Sequence, residues 1–152
     1  VAIDTETTGT SRSDRIVEIA LIVFKGDQVI EEWSTLINPM RDVGDTSKHG
    51  ISASMVVMAP LFSAVTSKIL EMLNGRFMVG HNLVFNQRML HQELERIDVE
   101  GSLGSEYCTM IAARKELPLL EPLQFHLLRS KVKESTYFPA HALSLHSKLR
   151  IL

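Results

Sequence analysis

The chain opens with Val1-Ala2-Ile3-Asp4-Thr5-Glu6-Thr7-Thr8-Gly9, "VAIDTETTG" over residues 1–9. Three apolar residues run straight into two carboxylates separated by one residue. In an extended strand, residues i and i+2 point the same way. Asp4 and Glu6 should therefore project together from the end of a strand. Two like charges so close raise at least one pKa unless a cation sits between them. Mg²⁺ is a suitable cation, because it prefers carboxylate oxygen and keeps positions open for water and phosphate. Gly9 would let the backbone turn and admit a substrate nearby. Taken alone, the stretch also fits a plain exposed turn rich in Asp, Thr and Gly.

The rest of the chain supplies elements around that strand. The first strand is expected over 1–4. Residues 16–24, "IVEIALIVF", are apolar on nearly both faces, as a central strand is. A turn at 25–27 leads to a more polar strand over 28–37. Residues 40–59 read as irregular. After Pro60, Phe62, Val65, Ile69 and Met72 recur at helical spacing, and Asn74-Gly75 closes that helix. A short strand is expected at 77–80 and a helix over 83–97, with Leu83, Leu90, Leu94 and Ile97 on its apolar stripe. "EYCTM" at 106–110 reads as a fifth strand entering a helix that Pro118 stops. Further helices are expected near 121–131 and 142–151. The order implies a mixed sheet with helices packed on its faces.

Composition narrows the function. The 152 residues are 45% apolar and carry a net charge of −2, which suits one domain with a real core and gives no global basic footprint. An enzyme that grips only a strand end, with metal ions supplying positive charge, remains compatible. One cysteine, Cys108, excludes an internal disulfide framework and fits a reducing, cytoplasmic setting. No apolar run approaches the ~20 residues of a membrane span. The opening residues read as a strand and not as a signal peptide, so no secretory leader is expected. The start lacks Met and lies within an apolar run, so the chain reads as a single domain over 1–152 trimmed from something longer. Lys48, Lys68, Arg76 and Arg88 read as solvated surface.

Two further stretches carry polar side chains at positions that need a reason. In "VGHNLVFNQRML", 79–90, His81 and Asn82 close a strand and open a helix, with Asn82 as the N-cap. Phe85 can pack beside a base or ribose. Asn86 shares the inward stripe of Leu83 and Leu90, so its amide must find a partner or cost stability. In "FPAHALSLHSKL", 138–149, His141 is a candidate general base or a capping residue, and His146 is equally open.

Together these stretches resemble the DEDDh family of 3′→5′ exonucleases, related to the proofreading epsilon subunit of bacterial DNA polymerase III. "DTETTG" resembles the family's first motif and "GHNLVFNQRML" its second. "KHGISASMVVMAP" and "YCTMIAARKELP" resemble the intervening segments. The resemblance implies a ribonuclease-H-like α/β fold, a mixed five-stranded sheet with helices on both faces. It implies Mg²⁺ or Mn²⁺, two ions in the family, and release of nucleoside monophosphates from a 3′ end. It makes Asp4 and Glu6 catalytic metal ligands and His141 the proton acceptor. Thr7, Thr8, Gly9, His49, Gly50 and Ile51 would lie near the terminal nucleotide, and His81, Asn82 and Phe85 would position the strand. The implied partner is a single-stranded 3′ end, DNA before RNA, with polymerase subunits as possible protein partners and no membrane.

The chain departs from the family at two ligand positions. Asn86 stands where the second motif has Asp, and His146 where the third motif has Asp. No Asp follows Asp98. Asn86 offers a neutral carbonyl oxygen, and His146 an imidazole that suits transition ions better than Mg²⁺. The expectation is a family member whose second ion binds poorly. The alternative is a catalytically silent module on the same fold that binds nucleic acid or a protein.

Overall fold

The structure, a computed structural model, describes residues 1–101 and 103–116. Its elements are β1 (Ala2–Thr7), β2 (Ile16–Lys25), β3 (Gln28–Leu36), α1 (Thr46–His49), α2 (Ala53–Val56), α3 (Phe62–Leu73), β4 (Met78–Gly80), α4 (Leu83–Glu95), β5 (Glu106–Cys108) and α5 (Thr109–Glu116). The five strands form one sheet in the order β3-β2-β1-β4-β5. β1, β2 and β3 pair antiparallel, while β1–β4 and β4–β5 pair parallel. The mixed sheet read from the sequence is present. The helices expected near 121–131 and 142–151 lie outside the described residues.

The core sits between one sheet face and helices α3 and α4. Ile3, Ile19, Leu21 and Val23 meet Phe62, Ile69 and Met72 from α3 and Leu83, Met89, Leu90 and Leu94 from α4. Burying each such side chain is worth about 1.5–3 kcal/mol. Ala2, Ala20 and Ile22 are buried on the opposite face. The edge of β2 needs one adjustment. Glu6 pairs with Glu18 and Thr7 with Ile16, so Val17 is the extra residue of a bulge. The bulge shifts the side-chain parity, which lets Ile16 join the main core while Val17 packs with Val43, Ile51 and Val56.

Two sequence expectations change here. β1 extends to Thr7 rather than stopping at residue 4, because β2 continues to pair with it. Residues 40–59 are not wholly irregular. Asp45 caps α1 by accepting from the Ser47 N–H, and Gly50 ends α1 in a left-handed conformation. Gly44, at φ +81, crosses the Thr8 carbonyl so closely that any Cβ there would collide with it. The 40–45 segment is thereby seated directly on the loop that follows β1.

Candidate active site

β1 points its side chains alternately. Ile3 enters the core, while Asp4 and Glu6 face the other side of the sheet, where Asp4 registers with Ala20 and Glu6 with Glu18. At the C-terminal end of β1 a pocket of about 450 Å³ opens. Asp4, Glu6, Thr7, Thr8, Gly9, His49, His81, Asn82, Phe85 and Asn86 all line it, and these are most of the residues the sequence singled out. Thr10, Asp45, Lys48 and Met110 line it too. Lys48 lines the rim while its side chain stays largely solvated, 79% exposed beside Asp45. Gly50 and Ile51 do not line it: Gly50 is the helix stop, and Ile51 is buried in the small cluster around Val17. His141 and His146 lie outside the described residues.

Several of these residues are held differently from expectation. Asn82 occupies the N-cap position of α4 but its side chain makes no cap bond; its backbone is left-handed, at φ 56. Asn tolerates that conformation better than most residues. His49 is bound at both ring nitrogens. Its Nδ1 accepts from the Ile51 N–H at 3.0 Å, and its Nε2 lies 3.2 Å from the Val43 carbonyl. Both ring nitrogens of His49 thus face the backbone of its own segment while the residue lines the pocket. His81 Nδ1 sits 3.2 Å from Thr109 Oγ1, whose own proton goes to the Gly80 carbonyl. Gly9 has no unusual φ. A Cβ there would fall 2.6 Å from Asp14 Oδ2, so a larger residue would have to push that carboxylate aside.

Asn86 is 2% exposed. Its Oδ1 accepts from Thr5 Oγ1 at 2.8 Å, tying α4 to β1 between the two carboxylates. Its Nδ2 is buried without a partner. A buried orphan of this kind costs about 1–3 kcal/mol. Among the described residues, no three His, Cys, Asp or Glu side chains group closely enough to hold a metal ion.

The loop from Thr8 to Arg15 is strapped onto α4. Arg88 and Arg96 donate to the carbonyls of Thr10, Arg12 and Asp14. Glu93, 1% exposed, receives Arg15 through two bonds of 2.7 and 2.8 Å, the Ile16 N–H at 3.1 Å and Arg96 at 3.3 Å. Asn86, Leu90 and Glu93 share one inward stripe. A carboxylate on that stripe was the available sequence signal for this ion pair, and it was not read. Glu93→Ala should lower stability by about 2–4 kcal/mol, the low side of the range for breaking a buried pair, because both guanidiniums reach water. Urea unfolding would measure it; a loss under 1 kcal/mol would mean that the strap is not a structural element.

Asp14 closes the same loop. The Ser11 hydroxyl and N–H hold its carboxyl below the usual carboxylate range, helped by Thr8 and Arg41 against a smaller opposing effect of burial. A depressed carboxylate contributes stability that is present above its unfolded pKa of about 3.9 and is lost as pH falls through the folded value. The loop should therefore loosen below about pH 4 in the parent. In Asp14→Asn that acid-linked step should be missing when stability is followed against pH.

The chain spans 11% of the 3′-5′ exonuclease DinG of Bacillus subtilis, matching it at 35% identity over 63% of its own length. It is 38% identical to the DNA polymerase III epsilon subunit of Treponema pallidum over 61% of its length, and spans 45% of that protein. It is 32% identical to the PolC-type DNA polymerase III of Oceanobacillus iheyensis over 79% of its length, and spans 9% of that one. Among solved structures, exonuclease X in complex with 5′ overhanging duplex DNA superposes with TM-score 0.66 at 26% identity, covering 91% of this chain and 76% of that one. The nuclease domain of 3′hExo, a DEDDh family member bound to rAMP, shares the fold with TM-score 0.72 at 14% identity, covering 99% of this chain and 87% of that one. The family model for the RNase_T exonucleases matches residues 1–139. With both first-motif carboxylates and the second-motif helix converging on one pocket, the chain belongs to the RNase_T exonuclease family.

Proposed function

We propose that this chain hydrolyses the terminal phosphodiester of a nucleic acid 3′ end and releases nucleoside monophosphates. The observation that carries the reading is the convergence of Asp4, Glu6, the Thr7–Gly9 segment and the first turn of α4 on one pocket of about 450 Å³. Phe85 supplies an apolar face on which a base can stack. Lys48 brings positive charge toward phosphate oxygens. Thr7 and Thr8 are fixed by bonds to the Gly9 carbonyl and Asp14, so the wall facing the terminal sugar is rigid. His141, outside the described residues, is the proposed proton acceptor.

Membership of the family implies dependence on a divalent metal. Asp4 and Glu6 fit one hard dication, Mg²⁺ or Mn²⁺, which when bound would supply Lewis-acid stabilisation of the phosphoryl oxygens. Asn86 adds at most a neutral donor to that set: its Oδ1 accepts one bond from Thr5 and keeps a second lone pair, while its Nδ2 presents protons. His146, outside the described residues, is the remaining proposed ligand.

DNA is the proposed substrate, supported by the DNA held by the similar exonuclease X. The epsilon and PolC relatives support a polymerase assembly as the setting. A cytoplasmic location is proposed from the single cysteine, and among the described residues no helix is long and apolar enough to cross a membrane.

A 5′-labelled single strand, DNA and RNA in parallel, incubated with Mn²⁺ or Mg²⁺ tests the reading. Expected is a ladder shortening from the 3′ end, with mononucleotide product, DNA faster than RNA, all stopped by EDTA. Intact strands in both metals would sink it and leave the silent binding module.

A further inference from the structure

A second open groove, about 650 Å³, runs along the solvent side of α4 and is lined by Arg12, Arg88, His91, Gln92, Glu95 and Glu106 among others. It adjoins the active-site pocket where Arg88 meets Phe85 and Thr10. The Arg88 guanidinium sits 5.3 Å over the Phe85 ring and donates to the Thr10 carbonyl at 3.0 Å. Phe85 and Thr10 line the pocket, whereas Arg88 lines the groove.

We propose that this groove along α4 is the binding track for the nucleotides immediately behind the 3′-terminal one, with Arg12, Arg88 and His91 as the phosphate contacts. The proposal rests on the exonuclease reading above. Arg88 uses one of its five donors on Thr10, so others are available to a phosphate. Arg12 lies 3.7 Å from Glu95, but the two side chains are 85% and 66% exposed. Such a pair is weak, and a phosphate can displace it. Gln92 is 8% exposed, and its buried Oε1 has no partner.

The track is short. From Arg88 to Glu95 the helix rises about 10 Å, and stacked nucleotides advance about 3.4 Å each. That is room for about three nucleotides. Glu95 and Glu106 line the same groove and offset much of its positive charge, so it gives no extended footprint. This agrees with a chain of net charge −2.

Fluorescence anisotropy with 5′-dTMP and labelled oligo-dT of two to eight nucleotides, in Ca²⁺, tests the track on the whole chain. In the parent, affinity should rise about tenfold or more between the mononucleotide and four nucleotides and then level off. In the Arg12→Ala/His91→Ala double variant, both positions being exposed, that rise should shrink to less than about twofold. The salt dependence for the tetranucleotide should weaken by about one phosphate contact or more. A parent that binds 5′-dTMP but gains nothing with length, or a double variant that gains as much as the parent, overturns the track alone. A parent that binds neither 5′-dTMP nor any oligonucleotide overturns the exonuclease pocket along with it.

Discussion

Asn86→Asp should raise Mg²⁺-supported release of 3′ nucleotides by about 100-fold or more, the size expected when one charge-stabilising group is restored to a transition state. The change is nearly isosteric at a position already packed to 2% exposure. Thr5 Oγ1 can donate to a carboxylate as it does to the amide oxygen. The buried, unpartnered Nδ2 becomes an oxygen able to face a cation. The same change carries a cost without metal. A desolvated carboxyl has its pKa raised in the folded state. An acid so raised destabilises the fold as pH climbs above its unfolded value of about 3.9. At neutral pH the variant should therefore melt below the parent in EDTA and recover in Mn²⁺, by more than the parent does. Single-turnover rates and melting curves with and without Mn²⁺ check both halves. An unchanged rate with no metal-dependent melting shift would mean that position 86 lies outside the metal site.

Asp4→Ala is expected to abolish release, at least about 1,000-fold, in the parent and equally in the Asn86→Asp background. Asp4 is proposed to touch the metal, and removing such a ligand forfeits several kcal/mol of transition-state stabilisation. Groups that act as one unit are not additive, so the double variant should be as silent as Asp4→Ala alone. The fold should survive, because the neighbouring Ile3 supplies the core contact and Thr5 the bond to α4. Rates on a 3′-labelled strand, with thermal unfolding as the control, decide it. Residual activity above a few per cent, with intact folding, would remove Asp4 from the catalytic set.

Much of this site was legible in the sequence because two periodicities carry it. The i, i+2 spacing put Asp4 and Glu6 on one side of β1. The helical stripe of Leu83, Asn86 and Leu90 turned Asn86 inward, and it is among the most buried polar residues described. Other features depended on what the chain meets in space. The end of β1 is set by its pairing with β2, and the Val17 bulge by which residues the core can take. Gly9 suggested a turn, and in space its Cα lies against the Asp14 carboxylate. His49 suggested a contact to nucleotide, yet both its ring nitrogens hold the backbone of its own segment. Lys48 and Met110 reach the pocket from elements distant in sequence; each lies in a stretch that carried the family resemblance without itself being singled out for the site. The Arg15–Glu93 strap joins residues 78 positions apart. The third motif, His141 to His146, lies outside the described residues.

The measurement closest to the centre is a titration of Mn²⁺ into the chain by calorimetry, for the parent and Asp4→Ala side by side. The pocket at the end of β1 predicts saturable Mn²⁺ binding in the parent that Asp4→Ala removes. No binding heat in the parent, or the same heat in both, would contradict a metal site built on Asp4 and Glu6.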